Sequence, residues 1–212
     1  MEPRRPRLPV AREGWPFILV PGAIAAGLLL AGRRGLAAPF AAASLASLGF
    51  FRDPERVIPD VANGILAPAD GKVTDIADTL EPFVGPSVRV TIFLSPLDVH
   101  VNRAPIAGLV AGTTYTPGRI VPAYRPEAAD NERCAINIQG DTARVTVTQI
   151  AGIAARRIVC RVAAGDKLVA GERFGMIRFG SRTDCFVPRG TDIRVRLGDR
   201  VTAGQTVIGI LR

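Results

Sequence analysis

Histidine is the scarcest of the chemically useful residues in this chain of 212 residues, with His100 as its single copy. Proton transfer near neutral pH is most readily performed by an imidazole, so His100 is the one side chain of this kind available for it. A single histidine also excludes sites that need two or three histidine ligands, including those of the HExxH zinc peptidases.

Cysteine is also scarce, and its three copies are Cys134, Cys160 and Cys185. They form no CxxC pair, and their odd number leaves one thiol over. Neither a disulfide framework nor a tetrahedral zinc site is therefore indicated. We expect a reducing compartment and no bound metal.

Lysine is almost absent, so the formal net charge of +8 comes almost wholly from arginine. An excess of positive charge predicts attraction to nucleic acid, to a phospholipid surface or to an anionic metabolite. Nucleic acid is the least favoured of these partners because the chain has no basic helix and no interleaving of aromatic and basic residues. We expect a phospholipid and a membrane surface instead, and no nucleic acid.

Residues 15–51 form a long apolar run that only Arg33 and Arg34 interrupt. Each half, Phe17–Gly32 and Gly35–Phe51, is shorter than the ~20 apolar residues that cross a bilayer comfortably. Two full spans would also place the two arginines on the far side, against the tendency of positive charge to stay cytoplasmic. The pattern predicts a peripheral or re-entrant helical hairpin at the cytoplasmic face of the inner membrane. A cleaved signal peptide and a buried core hairpin are the alternatives.

After Phe51 the sequence changes to short β-branched runs separated by Gly, Pro, Asp and Asn. Such runs predict strands, and no long amphipathic helix follows residue 60. We predict a mainly β domain over residues 57–212, preceded by a basic arm and the apolar helical hairpin over residues 1–56. The clearest predicted strands are Val88–Phe93, Cys134–Gln139 and Ala143–Ile150.

A weak internal repeat relates residues 162–177 to residues 195–210. Both copies contain Gly-Asp, then a basic residue, then a second glycine at matching offsets. The pattern resembles the hammerhead of lipoyl and biotinyl carriers, in which glycine permits tight turns between short strands. A carrier would present a modifiable lysine at a hairpin tip, and neither lysine of this chain has that setting.

Three segments stand out by their residue types: Ala67-Pro-Ala-Asp-Gly-Lys-Val73, Phe93-Leu-Ser-Pro-Leu-Asp-Val-His-Val-Asn-Arg-Ala-Pro105 and Arg178-Phe-Gly-Ser-Arg-Thr-Asp184. Together with Phe50-Phe-Arg-Asp-Pro54, Asn131-Glu-Arg133 and the Gly-Asp turns, they resemble the short form of phosphatidylserine decarboxylase. Each motif is weak alone, but their order and spacing are specific. The resemblance covers essentially the whole chain.

The resemblance implies a proenzyme that cleaves itself at the only Gly-Ser in the sequence. Ser181 would attack the Gly180 carbonyl, an ester would replace the amide, and elimination and hydrolysis would leave a covalent pyruvoyl cofactor derived from Ser181. The large chain 1–180 and the small chain 181–212 would stay interleaved as a heterodimer to bury their apolar side chains. A further homo-oligomer is also possible. The pyruvoyl group would form an imine with phosphatidylserine and accept electrons as carbon dioxide leaves, giving phosphatidylethanolamine.

Asp70 and His100 complete the site that the resemblance implies. Asp70, otherwise a turn aspartate, would orient or assist the base that activates Ser181. His100, expected in a loop at the sheet edge, would transfer a proton in maturation or in turnover. Longer family members assign self-cleavage to a second histidine three residues on, where this chain has Arg103. The maturation base is thus either His100 or a water held by Asp70.

Four cations are candidates for the substrate's phosphodiester or serine carboxylate, because guanidinium donates two parallel hydrogen bonds to such groups. They are Arg133, Arg178, Arg182 and Lys72. The cluster Asn131-Glu132-Arg133 is favoured among them by resemblance only.

Two other functions agree with the residue types. One is a membrane-anchored, noncatalytic lipoyl-like module, which the Gly-Asp repeat and the apolar hairpin favour. The other is a Ser-His-Asp hydrolase that uses Ser181, His100 and Asp70, although the chain has no G-x-S-x-G elbow. Both predict one intact polypeptide, whereas a pyruvoyl enzyme is cut at Gly180.

Overall fold

The computed structural model describes residues 9–119, 121, 130–152, 158–178 and 181–212, without the side chain of Ser181. The chain divides into two compact units, Met1–Glu55 and Arg56–Arg212. They are described in turn.

The first unit is a hairpin of two helices, α1 (Trp15–Leu30) and α2 (Arg34–Phe50), preceded by a 3-10 turn at Arg12–Gly14. Pro16 lies in the first turn of α1, where a backbone N–H would have no helical acceptor. Ser44 of α2 donates a 2.8 Å hydrogen bond to the carbonyl of Ile18. The predicted apolar helical hairpin is confirmed.

Large apolar side chains cover the outside of this hairpin. Leu30 is 91% exposed, and Leu19, Leu36 and Leu45 are also exposed. Among the described residues one helical segment, Arg12–Leu30, is long and apolar enough to cross a membrane. A single helix of this kind near the amino terminus is weak evidence for membrane association.

The second unit is mainly β, as the strand-like texture predicts. The described strands are β1 (Gly64–Leu66), β2 (Gly71–Glu81), β3 (Gly85–Leu94), β4 (Val101–Arg103), β5 (Gly108–Thr116), β6 (Arg133–Gln139), β7 (Arg144–Ile150), β8 (Ile158–Cys160), β9 (Lys167–Leu168), β10 (Arg173–Ile177), β11 (Ser181–Pro188), β12 (Asp192–Ile193), β13 (Arg200–Val201) and β14 (Val207–Ile210). They form three antiparallel sheets, with orders β13-β2-β3-β11-β7-β6-β5-β9, β1-β14-β12 and β4-β10-β8. The three clearest predicted strands lie within or overlap β3, β6 and β7.

The core of this unit lies on one face of the eight-stranded sheet. Side chains alternate between the two faces of a strand, so every second residue of a central strand is buried there. In β11 these are Thr183, Cys185 and Val187, all without solvent exposure. The other face carries Arg182, Asp184 and Phe186.

The Gly-Asp repeat is present as two similar turns. Asp166 accepts a 2.8 Å hydrogen bond from the N–H of Ala163, and Asp199 accepts an equal bond from the N–H of Arg196. The glycine before each aspartate has φ +95°, which favours glycine. A short strand, β9 or β13, follows each turn. The likeness to the lipoyl hammerhead is not confirmed beyond these turns.

Candidate active site

Asp70 immediately precedes β2, and its carboxylate is bound by Arg56. The sequence alone does not identify this partner. Arg56 binds both carboxylate oxygens, at 2.5 and 2.8 Å, and the N–H of Ala203 donates to Oδ1 at 2.8 Å. Arg56 also donates to the Ala203 carbonyl at 2.7 Å. The side chains of Asp70 and Arg56 are 15% and 6% exposed, so this bidentate pair is largely removed from water.

Gly71 explains why Asp70 sits in an Asp-Gly pair. Its φ is +148°, and a Cβ at this position would overlap the carbonyl oxygen of Phe93 on the neighbouring strand β3. Only glycine permits this close approach without a shift of the backbone. The approach fixes the start of β2 and therefore the position of Asp70.

His100 immediately precedes β4 and is completely buried. Its Nδ1 lies 2.9 Å from the carbonyl oxygen of Asp98, and its own carbonyl accepts the N–H of Ile177 at 3.2 Å. Because a carbonyl only accepts, Nδ1 carries the hydrogen and Nε2 carries the lone pair of the neutral ring. Asp70 bonds to Arg56 and Ala203, so the described hydrogen bonds do not join Asp70 to His100.

Ser181 is the first residue of β11, with its Cα opposite that of Leu94 in β3. Gly180, the other half of the predicted cleavage site, lies outside the described residues. Arg178 follows β10 directly and lies one residue after Ile177, whose N–H binds His100. The end of β10 and the start of β11 therefore flank the predicted cleavage site in the sequence.

A buried polar network centred on Asn102 connects the segments that carry the three predicted residues. The Asn102 amide donates to the hydroxyl of Thr183 at 3.2 Å and to the carbonyl of Pro68 at 3.3 Å. Its carbonyl oxygen accepts a 2.8 Å bond from Gln149. Asn102, Thr183 and Gln149 have no solvent exposure.

Three residues of this network each lie two positions from a predicted site residue in the sequence. Pro68 lies two residues before Asp70, Asn102 lies two residues after His100, and Thr183 lies two residues after Ser181. One amide thus fixes three chain segments that are far apart in sequence. The sequence did not identify Asn102, Thr183, Gln149 or Arg56 as site residues, although Asn102 and Thr183 lie inside two of the motifs that stand out in it.

Arg103, which stands where longer family members have a histidine, is almost completely buried. Its guanidinium donates to the carbonyl of Gly171 at 3.0 Å. A Cβ on Gly204 would lie 2.9 Å from Cδ of Arg103, so this side chain contacts the second glycine of each copy of the repeat, Gly171 and Gly204. Its position connects β4 to both copies of the repeat.

The four predicted substrate-binding cations occupy three different places. Lys72 is exposed on β2, next to Gly198, and Arg178 is half-buried beside the predicted cleavage site. Arg133 lies on β6 and lines a pocket of about 230 Å³ together with Arg89, Arg182 and Asp184. Arg182 binds both oxygens of Asp184, at 2.9 and 2.7 Å.

Two local environments change the pKa of their groups. Burial by itself would lower the pKa of Arg182, but its hydrogen bonds with Asp184 more than offset this and raise that pKa. Cys134 hydrogen-bonds to Cys160, which lowers the pKa of the Cys160 thiol to about 6 and raises that of Cys134. The sequence had not indicated that these two thiols meet.

No group of three or more His, Cys, Asp or Glu side chains that could hold a metal ion occurs within the described ranges. The residues near the predicted cleavage site are instead hydroxyl, amide, imidazole and guanidinium groups. These groups suit proton transfer and the binding of an anion.

Comparisons with known proteins agree with the motifs. The family model of phosphatidylserine decarboxylase matches residues 45–209. The chain is similar to proteins named phosphatidylserine decarboxylase proenzyme from several bacteria. The protein of Nitrosomonas europaea is 44% identical over 97% of both chains, and that of Symbiobacterium thermophilum is 47% identical over 95% of both. A protein of that name in Burkholderia pseudomallei is 42% identical over 95% of both chains.

These matches, over 95% or more of the chain, make it an enzyme of the decarboxylase class. The chain belongs to the phosphatidylserine decarboxylase family.

Proposed function

We propose that this chain is a proenzyme that cuts itself between Gly180 and Ser181 and then decarboxylates phosphatidylserine to phosphatidylethanolamine, with a pyruvoyl group formed from Ser181. Residues 57–212 are its catalytic domain. The observation that carries the proposal is the Asn102 network, which brings the segments of Asp70, His100 and Ser181 together.

The strand pairing of the second unit supports a fold that stays intact when the peptide bond before Ser181 is cut. β11 pairs with β3 and β7, β13 pairs with β2, and β14 pairs with β1. Every one of these partners belongs to the large chain. Sheet hydrogen bonds and a shared core would therefore hold the small chain 181–212 in place after the peptide bond is broken.

Maturation requires the hydroxyl of Ser181 to lose its proton as the oxygen bonds to the Gly180 carbonyl carbon. The Gly180–Ser181 C–N bond then breaks and leaves an ester. Removal of the Cα proton expels the Gly180 carboxylate, and water releases ammonia from the dehydroalanine. His100 is the proposed base because, in its neutral form, an Nδ1–H that faces the Asp98 carbonyl leaves the lone pair on Nε2.

Asp70 acts in this scheme through its position. The Arg56 pair and the Ala203 N–H hold its carboxylate at the start of β2, and Asn102 binds the carbonyl of Pro68, two residues before Asp70. A water on this carboxylate is the other candidate for the maturation base.

In turnover the pyruvoyl group supplies a carbonyl that condenses with the substrate amine and accepts the electrons released with carbon dioxide. The chain itself must place the headgroup, exclude water from the reacting carbon and return a proton to it. His100 is the proposed proton donor. The cations Arg133, Arg178 and Lys72 are the proposed contacts of the anionic headgroup, and Arg133 is favoured by its place in the pocket.

The proposed location is the cytoplasmic face of the inner membrane, with the hairpin inserted into the lipid surface. The exposed leucines of α1 and α2 supply the apolar area, and the arginines that flank them add attraction to anionic lipid. The enzyme would meet its lipid substrate at this surface. It would act as the heterodimer of its large and small chains, or as a homo-oligomer of that heterodimer.

The first experiment is the intact mass of the purified protein under denaturing conditions. Two chains that join at Gly180 are expected, the smaller one lighter by one ammonia than the same chain with an amino-terminal serine. Ser181→Ala should remain a single chain of 22.5 kDa without decarboxylase activity. An uncut but active wild-type protein would contradict the proposal.

A second experiment separates the two proposed roles of His100. In His100→Ala, loss of cleavage would place the side chain in maturation, whereas a cleaved protein without activity would place it in turnover. A cleaved protein with normal activity would remove His100 from both. Asp70→Asn, measured in parallel, should slow cleavage.

A further inference from the structure

Two cysteines that the proposed reaction does not use, Cys134 on β6 and Cys160 on β8, lie side by side and are here called the thiol pair. The two thiols are hydrogen-bonded to each other. The Cys160 thiol also donates to the carbonyl of Val162 at 3.3 Å. Cys134 belongs to the apolar core of the second unit, and Cys160 packs against that core. The pair therefore joins the eight-stranded sheet to the sheet β4-β10-β8.

The thiol pair lies at one end of a double row of residues that begins at the Asn102 network. Each sheet contributes three residues whose Cα atoms are opposite one another on adjacent strands. In the eight-stranded sheet they are Thr183 of β11, Gln149 of β7 and Cys134 of β6. In the smaller sheet they are Asn102 of β4, Gly175 of β10 and Cys160 of β8.

Contacts between the two rows follow the same order. Asn102 binds both Thr183 and Gln149, at 3.2 and 2.8 Å. A Cβ on Gly175 would lie 2.8 Å from Nε2 of Gln149, so the glycine leaves room for this amide. The thiol pair is the last contact of the series. Gln149 thus lies between the thiol pair and Asn102, the residue that holds the segments of the proposed self-cleavage.

The two thiols differ in the way that disulfide formation requires. Cys160 is partly exposed, whereas Cys134 is only 4% exposed. The hydrogen bond from Cys134 lowers the pKa of the Cys160 thiol to about 6, although burial and the nearby Asp166 oppose this effect. The more accessible sulfur is therefore the better nucleophile near neutral pH. Cys185 is completely buried, and this burial raises its pKa, so it is unreactive by comparison.

We propose that a small disulfide such as oxidised glutathione converts the thiol pair into a protein disulfide, and that this bond slows self-cleavage. The Cys160 thiolate attacks the small disulfide and expels one thiolate, which leaves a mixed disulfide on Cys160. The Cys134 thiol then loses its proton, attacks the Cys160 sulfur and expels the second thiolate. Two protein thiols are thereby oxidised, and one small disulfide is reduced to two thiols.

The effect on self-cleavage follows from the double row. A covalent S–S bond is much shorter than a hydrogen bond between two thiols, so its formation draws β6 and β8 together beside Gln149. A shift of about 1 Å in the groups that position a reaction can slow it by about 100-fold. In a reducing compartment the thiol pair stays reduced and self-cleavage proceeds. This half of the proposal rests on the proposed function, whereas the disulfide itself does not.

The first test locates the disulfide by peptide mapping. The purified full-length protein is treated with oxidised glutathione, alkylated and digested after arginine without reduction. The three cysteines then fall in separate peptides, Cys134–Arg144, Ile158–Arg161 and Thr183–Arg189. We expect the first two to appear joined, lighter by two hydrogens than their sum, and to separate on reduction. Cys185→Ala is the matched control and should form the same bridge, whereas Cys134→Ala should instead carry one glutathione on Cys160.

The second test measures self-cleavage of the protein synthesised in vitro in reduced or in oxidised glutathione. The wild type and Cys185→Ala should cleave about tenfold or more slowly in the oxidised buffer, and a later addition of dithiothreitol should restore the rate. Cys160→Ala lacks the reactive thiol and should cleave equally fast in both buffers. The rescue by dithiothreitol uses the wild type alone, so the test does not depend on the folding of a variant.

Four results would overturn the proposal in whole or in part. A mixed disulfide on wild-type Cys160 that never becomes a bridge, or a bridge that includes Cys185, removes the thiol pair as the site. A complete bridge with an unchanged cleavage rate removes its control of maturation. Equal slowing of Cys160→Ala assigns the effect to the buffer. A wild type that stays uncut in reduced glutathione refutes the proposed function, while the peptide map still decides on the disulfide.

Discussion

Asp70 and His100 are held by different partners. Arg56 neutralises Asp70 through both carboxylate oxygens, whereas the Nδ1 of His100 contacts a backbone carbonyl. A Ser-His-Asp hydrolase needs the aspartate on the histidine Nδ1, because that contact stabilises the imidazolium during catalysis. The described geometry therefore does not favour the hydrolase. It suits a histidine that takes up one proton and passes it on.

Substitution of Asn102 should show whether this residue positions the reacting segments for self-cleavage or only stabilises the fold. Asn102→Asp keeps the shape but turns two N–H donors into an acceptor that faces the Pro68 carbonyl and the Thr183 hydroxyl. We expect self-cleavage to slow by about tenfold or more, because small displacements of reacting groups are costly. The rate is followed by gel electrophoresis after rapid synthesis.

The control for this prediction is Asn137→Asp on the outer face of β6, where the side-chain oxygen only accepts a bond from Thr146. It should cleave at the wild-type rate. Thr183→Ser should retain cleavage and Thr183→Val should lose it, if the hydroxyl transmits the effect. Cleavage of Asn102→Asp at the wild-type rate would remove Asn102 from the mechanism.

At the scale of elements, the apolar hairpin, the mainly β texture and several strands could be predicted from sequence because each depends on local composition and periodicity. The glycines of the two Gly-Asp turns were identifiable for the same reason. The partners of Asp70 and Asn102 were not, because Ala203 and Thr183 lie 133 and 81 residues away in the chain. Only the strand pairing brings these residues together, and no local pattern encodes that pairing.

The start of β2 depends on Gly71, and its substitution tests this element. Gly71→Ala adds a Cβ that overlaps the Phe93 carbonyl and also disfavours φ +148°. We expect it to lower the free energy of unfolding by about 2 kcal/mol or more. The measurement is best made by denaturant unfolding in the uncleaved Ser181→Ala protein, which keeps a single chain.

Gly85→Ala separates the two causes. Gly85 also has a positive φ, +86°, but a Cβ there would meet no atom within 4 Å. This control carries the backbone strain alone, so its loss should be smaller, about 1 kcal/mol. Equal losses for the two variants would mean that the contact with β3 does not constrain β2.

At the scale of the whole molecule, the chain combines a net charge of +8 with a hairpin whose leucines face outward. Exposed apolar surface of this extent is unfavourable in water unless something covers it. A lipid surface would cover it and would also explain the basic balance, since cationic proteins are attracted to anionic lipid. Under this hypothesis the hairpin and the charge would serve one purpose, delivery of the second unit to a lipid surface.

The membrane hypothesis predicts that charges placed on the hairpin weaken binding without affecting maturation. In Leu30→Glu/Leu45→Glu, the two leucines lose a burial in lipid that contributes about 1.5–3 kcal/mol each, so partitioning into anionic vesicles should fall by more than tenfold. Flotation of the full-length protein measures it. The control is Leu197→Glu in the second unit, where the leucine is about as exposed as Leu45, and this variant should float like the wild type. Self-cleavage should be complete in all three. Undiminished flotation of the double variant would show that the hairpin is not the membrane contact, and the arginines of the second unit would then be the next surface to test.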